Sequence, residues 1–161
     1  MPITIVEERP DSVDAVQLIT ELDIHLNGQL YPQESRHAFS IDKLVREGVA
    51  FFVTRYDGEP AGCGGLKLFG REYGEIKRMY VHPAYRGLGL GKAMLNHLAE
   101  FARRRQVSIL RLETGVYQTE AIGLYEGFGF QRRPPFGEYK DDPLSVYYEK
   151  CIRDSGWALQ S

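Results

Sequence analysis

The sequence predicts a single α/β domain of the α+β kind, a mixed sheet of about seven strands flanked by helices. Three observations carry that expectation. Two apolar runs, Val49 to Tyr56 and Ala61 to Phe69, flank Asp57-Gly58, a strong β-hairpin signal. A strand-like run, Glu75 to Val81, leads through a glycine-rich stretch into a strongly amphipathic run from Leu90 to about Arg105. From there strand and helix patterns alternate. Strands first in hairpins and then alternating with helices imply a mixed sheet with helices on its faces.

Taken in chain order, Ile3-Thr4-Ile5-Val6 is a first strand. Ser12 is placed to cap a helix on which Val13, Val16, Ile19, Leu22 and Leu26 recur at helical spacing. From Asn27 to Phe39 the periodicity breaks, and Gly28, Pro32 and Ser35 indicate a loop. A short helix, Ile41 to Glu47, ends at Gly48, and the hairpin follows. Glu75 to Val81 is stopped by His82-Pro83, since proline restricts the residue before it. Met94, Leu98 and Phe101 form one stripe of the long helix, with Leu95 and Ala102 beside it. Ser108 to Glu113 is the next strand, a helix starts at about Thr119, and two strands close the chain, around Phe130 and from Val146 to Ile152. No repeat or linker divides the chain, and 161 residues with 43% hydrophobic content suit one domain, 1–161, with a real core.

Arg86-Gly87-Leu88-Gly89-Leu90-Gly91-Lys92 is the most informative stretch. Glycines at alternate positions let the backbone turn without Cβ clashes and come close to a ligand. At a helix mouth, unpaired N–H groups and the positive dipole end suit phosphate, so the stretch reads as a pyrophosphate cradle. A Walker A loop needs glycine at Arg86 and Ser or Thr at Ala93; a dinucleotide fingerprint begun at Gly87 or Gly89 needs glycine at Lys92 or Met94. Neither pattern is present. A structural loop would explain the glycines but not the arginine ahead of them.

What remains, Arg86-x-x-Gly89-x-Gly91 after the strand from Glu75 to Pro83, resembles motif A of the GNAT superfamily of acyl-CoA-dependent N-acetyltransferases. A second match is Ala121-Ile122-Gly123-Leu124-Tyr125 ahead of a Gly-Phe pair, where Tyr125 takes the family's tyrosine position. The resemblance spans about Ile3 to Ile152 and implies a mostly antiparallel, twisted sheet. Similarity to a bacterial small-molecule-type subgroup is carried by Pro32-Gln33-Glu34-Ser35, Leu112-Glu113-Thr114-Gly115, Pro135-Phe136-Gly137-Glu138-Tyr139 and Asp142-Pro143-Leu144-Ser145-Val146. Some members of that subgroup carry a label referring to indole acetate, which names no amine. One departure is Gln118, where many members have an asparagine that holds the cofactor arm or a catalytic water; Gln118 offers the same hydrogen-bonding groups on a longer stem.

The resemblance implies acetyl-CoA (coenzyme A) as cofactor. Its expected contacts are Met79, Tyr80 and Val81 on the strand, Arg86, Gly87, Leu88, Gly89, Leu90, Gly91 and Lys92 in the cradle, and Gln118 and Tyr125 beyond. The backbone of Met79 and Val81 is expected to pair with the pantetheine arm. An acceptor amine with a pKa of about 10.4 is protonated at neutral pH, so a base is required. Glu75 stands at the spacing from Arg86 that serves as base in several members; Glu113 is its rival, and surface pairing of Glu75 with Lys77 or Arg78 is the plainer alternative. The departing thiolate needs a proton, for which Tyr125 is the candidate, against an ordinary role as a core aromatic.

For the acceptor, the sequence offers Tyr31, Glu34 and Ser35 in the irregular segment, with Arg78 and Glu113 on strands. A guanidinium suits a carboxylate and a glutamate suits an ammonium, which points to a small amino acid or related zwitterion. The expected function is acetyl transfer to the primary amine of a small molecule by direct attack, without an acyl-enzyme. Protein lysine acetylation and a non-catalytic acyl-CoA-binding module stand as alternatives, and a homodimer stays open.

Other classes are disfavoured. A formal charge of -2 without a dominant basic stripe suggests no nucleic acid, and Arg103-Arg104-Arg105 is read as compensation of a helix dipole. Cys63 and Cys151 are too few for a disulfide framework and are read as packing residues; His25, His37, His82 and His97 lack metal spacing, so no metal is assigned. No leader is read at Met1 to Glu8, and no apolar run nears the roughly 20 residues of a membrane span, so a cytoplasmic protein is expected.

Overall fold

The computed structural model describes residues 2–27 and 40–153. Its strands are β1 (Ile3–Glu7), β2 (Ala50–Tyr56), β3 (Glu59–Phe69), β4 (Tyr73–Val81), β5 (Ile109–Gly115), β6 (Gln131–Arg133) and β7 (Ser145–Cys151). They form one seven-stranded sheet in the order β1-β2-β3-β4-β5-β7-β6. Every neighbouring pair is antiparallel except β4 and β5. The helices are α1 (Val13–Asn27), α2 (Ile41–Arg46), α3 (Leu90–Arg104) and α4 (Thr119–Phe128). Sequence and structure agree on a mixed, mostly antiparallel sheet with helices.

Local chemistry accounts for the boundaries. Asp57 and Gly58 both take positive φ, 51° and 83°, as a two-residue hairpin turn of the primed type requires. The Ser12 hydroxyl accepts from the Ala15 N–H at 3.2 Å and caps α1, and Ser40 accepts from Lys43 at 3.1 Å to cap α2. The buried stripe of α1 is Ala15, Leu18, Ile19 and Leu22; Val13, expected in that stripe, is 85% exposed. Val13 lies nine residues from Leu22, two and a half turns, and so points the opposite way. Cys151, read as a packing residue, is exposed at the end of β7. The arginines closing α3 also do more than offset a dipole: Arg103 Nε donates to the Ile152 carbonyl at 2.5 Å, and the Arg105 guanidinium lies 3.5 Å from the Phe101 ring centre.

Two apolar layers sandwich the sheet. On one face Phe52, Leu66, Ile76, Leu110, Leu112 and Tyr148 pack against Met94, Leu95 and Leu98 of α3 and Tyr125 of α4. On the other, Phe51, Val53, Cys63 and Tyr80 pack against Ala15, Leu18, Ile19 and Leu22 of α1 and Leu44 of α2. A smaller aromatic group, Tyr73, Phe136 and Tyr147, covers this second face near β5 and β7. Among the described residues no helix is long and apolar enough to cross a membrane.

The parallel junction positions the site. β4 and β5 pair only through Gly74 with Leu110 and Glu75 with Arg111. Beyond these residues β4 runs on to Val81 and β5 to Gly115 without pairing, so the sheet opens at their carboxyl ends, where ligands of such sheets tend to sit.

Candidate active site

A β-bulge shapes the open edge of β4. Cys63 pairs with Tyr80 and Gly65 with Lys77, so Arg78 and Met79 together oppose Gly64. Arg78 takes a φ of 55°, a left-handed conformation that disfavours a side-chain-bearing residue by about 1–2 kcal/mol. Contacts from two elements hold it there. The buried Arg78 guanidinium pairs with Asp23 on α1 and donates to the Ile19 carbonyl at 3.4 Å, while the Cys63 thiol donates to the Arg78 carbonyl at 3.3 Å. Burial pushes that thiol up to about 12, so it stays protonated and inert.

A cavity of about 490 Å³ lies at the opening. Met79, Tyr80 and Val81 of β4 form one wall, and the turn into α3 supplies Arg86, Gly87, Gly89, Leu90, Gly91 and Lys92. The start of α4 closes it with Gln118, Thr119, Glu120, Ala121, Leu124 and Tyr125, and Leu22 and His25 approach from α1. Of the residues expected to hold a cofactor, all but Leu88 line this cavity. The Leu88 side chain instead faces solvent.

Each wall has a distinct chemistry. Gly89 precedes α3 with a φ of 80° and no side-chain cap, which leaves the first-turn N–H groups of Leu90, Gly91 and Lys92 without helical acceptors. A Cβ on Gly91 would stand 2.7 Å from Leu124 Cδ2, so that glycine also lets α3 and α4 approach. Arg86 Nε donates to the Val81 carbonyl at 3.3 Å, and Nη1 meets Glu120 Oε1 at 2.8 Å, joining the two walls. Gln118 Nε2 is buried without a hydrogen-bond partner, an unfavourable state for a donor unless a ligand oxygen meets it. Tyr125 is buried against Phe130 and Tyr148, and its hydroxyl has no hydrogen bond among the described residues. Burial, with a smaller contribution from Glu113, pushes this phenol above its ordinary range.

Glu75 lies on the opposite face of the sheet from Tyr125, at the junction and outside the cavity lining. It is 3% exposed. Its Oε2 accepts from Lys77 Nζ at 2.8 Å and from the Tyr139 hydroxyl at 2.5 Å, and Lys77 also donates to Tyr139 at 3.1 Å. The pairing with Lys77 anticipated from sequence is therefore present, but buried rather than on the surface. Burial lowers the Lys77 ammonium from its usual range, opposed by Glu75. Glu113, on the same face, is half-buried and accepts from Ser145 Oγ at 2.7 Å. Arg78, considered for an acceptor carboxylate, is engaged with α1. Tyr31, Glu34 and Ser35 lie outside the described residues.

Sequence reasoning gave no role to Tyr139, Ser145 or Glu120. Tyr139 and Ser145 lie in segments that carried only a subgroup similarity, and no periodicity reveals that the stretch after β6 folds back over β4.

The family model for the acetyltransferase (GNAT) family matches residues 16–130. A protein of Azospirillum brasilense named IAA acetyltransferase is 44% identical over 93% of this chain and 98% of its own length. An uncharacterized N-acetyltransferase of Bacillus subtilis, YsnE, is 36% identical over 88% of this chain and 97% of its own. Among solved structures, a Klebsiella pneumoniae protein assigned to the acyl-CoA N-acyltransferases superposes with a TM-score of 0.78 at 35% identity, covering 93% of this chain and 97% of that one. The Thermoplasma acidophilum PaiA N-acetyltransferase, in complex with coenzyme A, shares the fold at a TM-score of 0.75 and 19% identity, covering 94% of this chain and 99% of that one.

Proposed function

The chain belongs to the acetyltransferase (GNAT) family and is an N-acetyltransferase, and on that premise we propose that it transfers an acetyl group from acetyl-CoA to the primary amine of a small molecule. The observation that carries the reading is the cavity at the parting of β4 and β5, around which the glycine turn, the β4 edge, Gln118 and Tyr125 converge. The N–H groups opening α3, with Arg86, suit a pyrophosphate, and the partnerless Gln118 amide suits a carbonyl of the pantetheine arm. Bound there, acetyl-CoA supplies an activated thioester carbonyl.

The chain's own groups handle protons. Tyr125, whose buried phenol holds its proton through the neutral range, is the donor to the leaving sulfur. Glu75 is the base that takes the ammonium proton, directly or through a water, with no acyl-enzyme. A small acceptor is supported by the relative named as an IAA acetyltransferase, which aligns over nearly its whole length. Because Asp23 and the Ile19 carbonyl already engage Arg78, an amine without a carboxylate is as suitable an acceptor as an amino acid.

A thiol-release assay with acetyl-CoA against a panel of amino acids, their decarboxylated amines and a lysine peptide pool tests this. Turnover on a small amine is expected. Acetylation of peptides alone, or no thiol release above hydrolysis with any amine, would overturn it.

A further inference from the structure

Glu75 carries an asymmetry that the reading of it as a base does not by itself require. Both hydrogen bonds it receives among the described residues converge on Oε2, from Lys77 Nζ and the Tyr139 hydroxyl. Oε1 receives none, yet it is absent from the fully buried partnerless atoms, which among the described residues are Arg78 Nε and Gln118 Nε2. One carboxylate oxygen is therefore tied down while the other keeps an opening.

Tyr139 is itself firmly held. Its ring packs edge-on to Phe136 at 5.2 Å between centroids and at an angle to Tyr147 at 5.6 Å. Its N–H donates to the Phe136 carbonyl at 3.0 Å, and the Tyr147 hydroxyl donates to the Lys140 carbonyl at 2.9 Å, pinning the segment on both sides. Burial, reinforced by Glu75, raises the Tyr139 phenol far above its ordinary range, so it stays a donor at any working pH. An aromatic present only for packing has no need to place its hydroxyl 2.5 Å from a buried carboxylate.

We propose that Tyr139 and Lys77 are positioning residues which together fix Oε2 of Glu75 and leave Oε1 as the oxygen that accepts the acceptor's proton. The inference rests on Glu75 being the base. In the proton transfer, the N–H bond of the ammonium breaks and an O–H bond forms at Oε1, while Tyr139 and Lys77 keep their protons. Other charges bear on the same carboxylate from each neighbouring strand. Lys67 of β3 stands in register with Glu75 and pairs with Glu47, and Arg111 of β5 stands in register on the other side and pairs with Glu149. Among the described residues, Glu113 of β5 acts on Lys77 through its charge, and Tyr73 of β4, a neutral phenol whose proton is held by burial and by Glu75, flanks the carboxylate.

The test compares pH profiles of kcat and kcat/KM for the whole protein, its Tyr139→Phe variant and its Glu75→Gln variant on one acceptor amine. Loss of the phenolic donor should lower kcat roughly tenfold or more, leave KM for acetyl-CoA within twofold, and move the acid limb to higher pH, because a carboxylate with one donor fewer binds a proton more readily. Site-specific 3-fluorotyrosine at position 139 keeps the packing and strengthens the donor, so it should move the limb to lower pH. Unmoved limbs in both Tyr139 variants, alongside a slow Glu75→Gln enzyme, would overturn the positioning role while sparing the base. Wild-type turnover by Glu75→Gln would overturn both.

Discussion

Replacing Gly89 with alanine separates the ligand-binding contribution of the glycine turn from its structural one. Gly89 takes a φ of 80°, and a Cβ there would meet no atom within 4 Å. The folded protein therefore bears only the backbone penalty of a side-chain-bearing residue in the left-handed region, about 1–2 kcal/mol, which in a domain of this size lowers Tm by about 2–8 °C. A phosphate held by the N–H groups that follow would meet the new methyl. Loss of one such charge-assisted hydrogen bond, about 1.5–3 kcal/mol, weakens coenzyme A binding roughly 10- to 100-fold. Gly91→Ala is the control: its methyl falls 2.7 Å from Leu124 Cδ2, so its effect is a repacking of α3 against α4, partly offset by alanine's better helix propensity. Titration calorimetry with coenzyme A, beside thermal melts, should show Gly89→Ala losing far more affinity per degree of Tm. A folded Gly89→Ala protein that binds coenzyme A within twofold of wild type refutes the reasoning.

Two further outcomes follow from the same geometry. Tyr125→Phe removes a hydroxyl that makes no hydrogen bond among the described residues, so melting and acetyl-CoA affinity should hardly change while kcat falls by roughly 100-fold or more, measured by steady-state kinetics and calorimetry. Arg78→Ala releases the contact between the bulge and α1, and should lower Tm and reduce kcat/KM by the same factor for an amino acid and its decarboxylated amine; a loss confined to the amino acid would show that the guanidinium binds the acceptor's carboxylate.

The sheet, its hairpin and the cradle were legible because each leaves a local mark. Asp57-Gly58 declares its turn, the α3 stripe declares its buried face, and Gly87 and Gly89 announce a backbone that must bend. The bulge was not legible, because Arg78 is an ordinary strand residue until the register against Gly64 is known. Alternation alone left the side of Arg78 open; the extra residue opposite Gly64 turns it to α1. Tyr139 stands 64 positions from Glu75, and their contact exists only once the segment between β6 and β7 has closed over the sheet. Long-range polar contacts of this kind have no period to betray them.

The brevity of the β4–β5 ladder gives α3 a second office. With two register pairs joining an N-terminal and a C-terminal group of strands, backbone hydrogen bonds do little to set how far the groups stand apart. The apolar layer beneath α3 spans both, from Phe52, Leu66 and Ile76 on one side to Leu110, Leu112 and Tyr148 on the other. Met94 and Leu98 lie in the layer on which both groups of strands rest, so a change in their bulk is expected to act as a shim does and alter the width of the opening. On that expectation a core substitution such as Leu98→Ala, remote from the cradle, changes coenzyme A affinity measured by calorimetry.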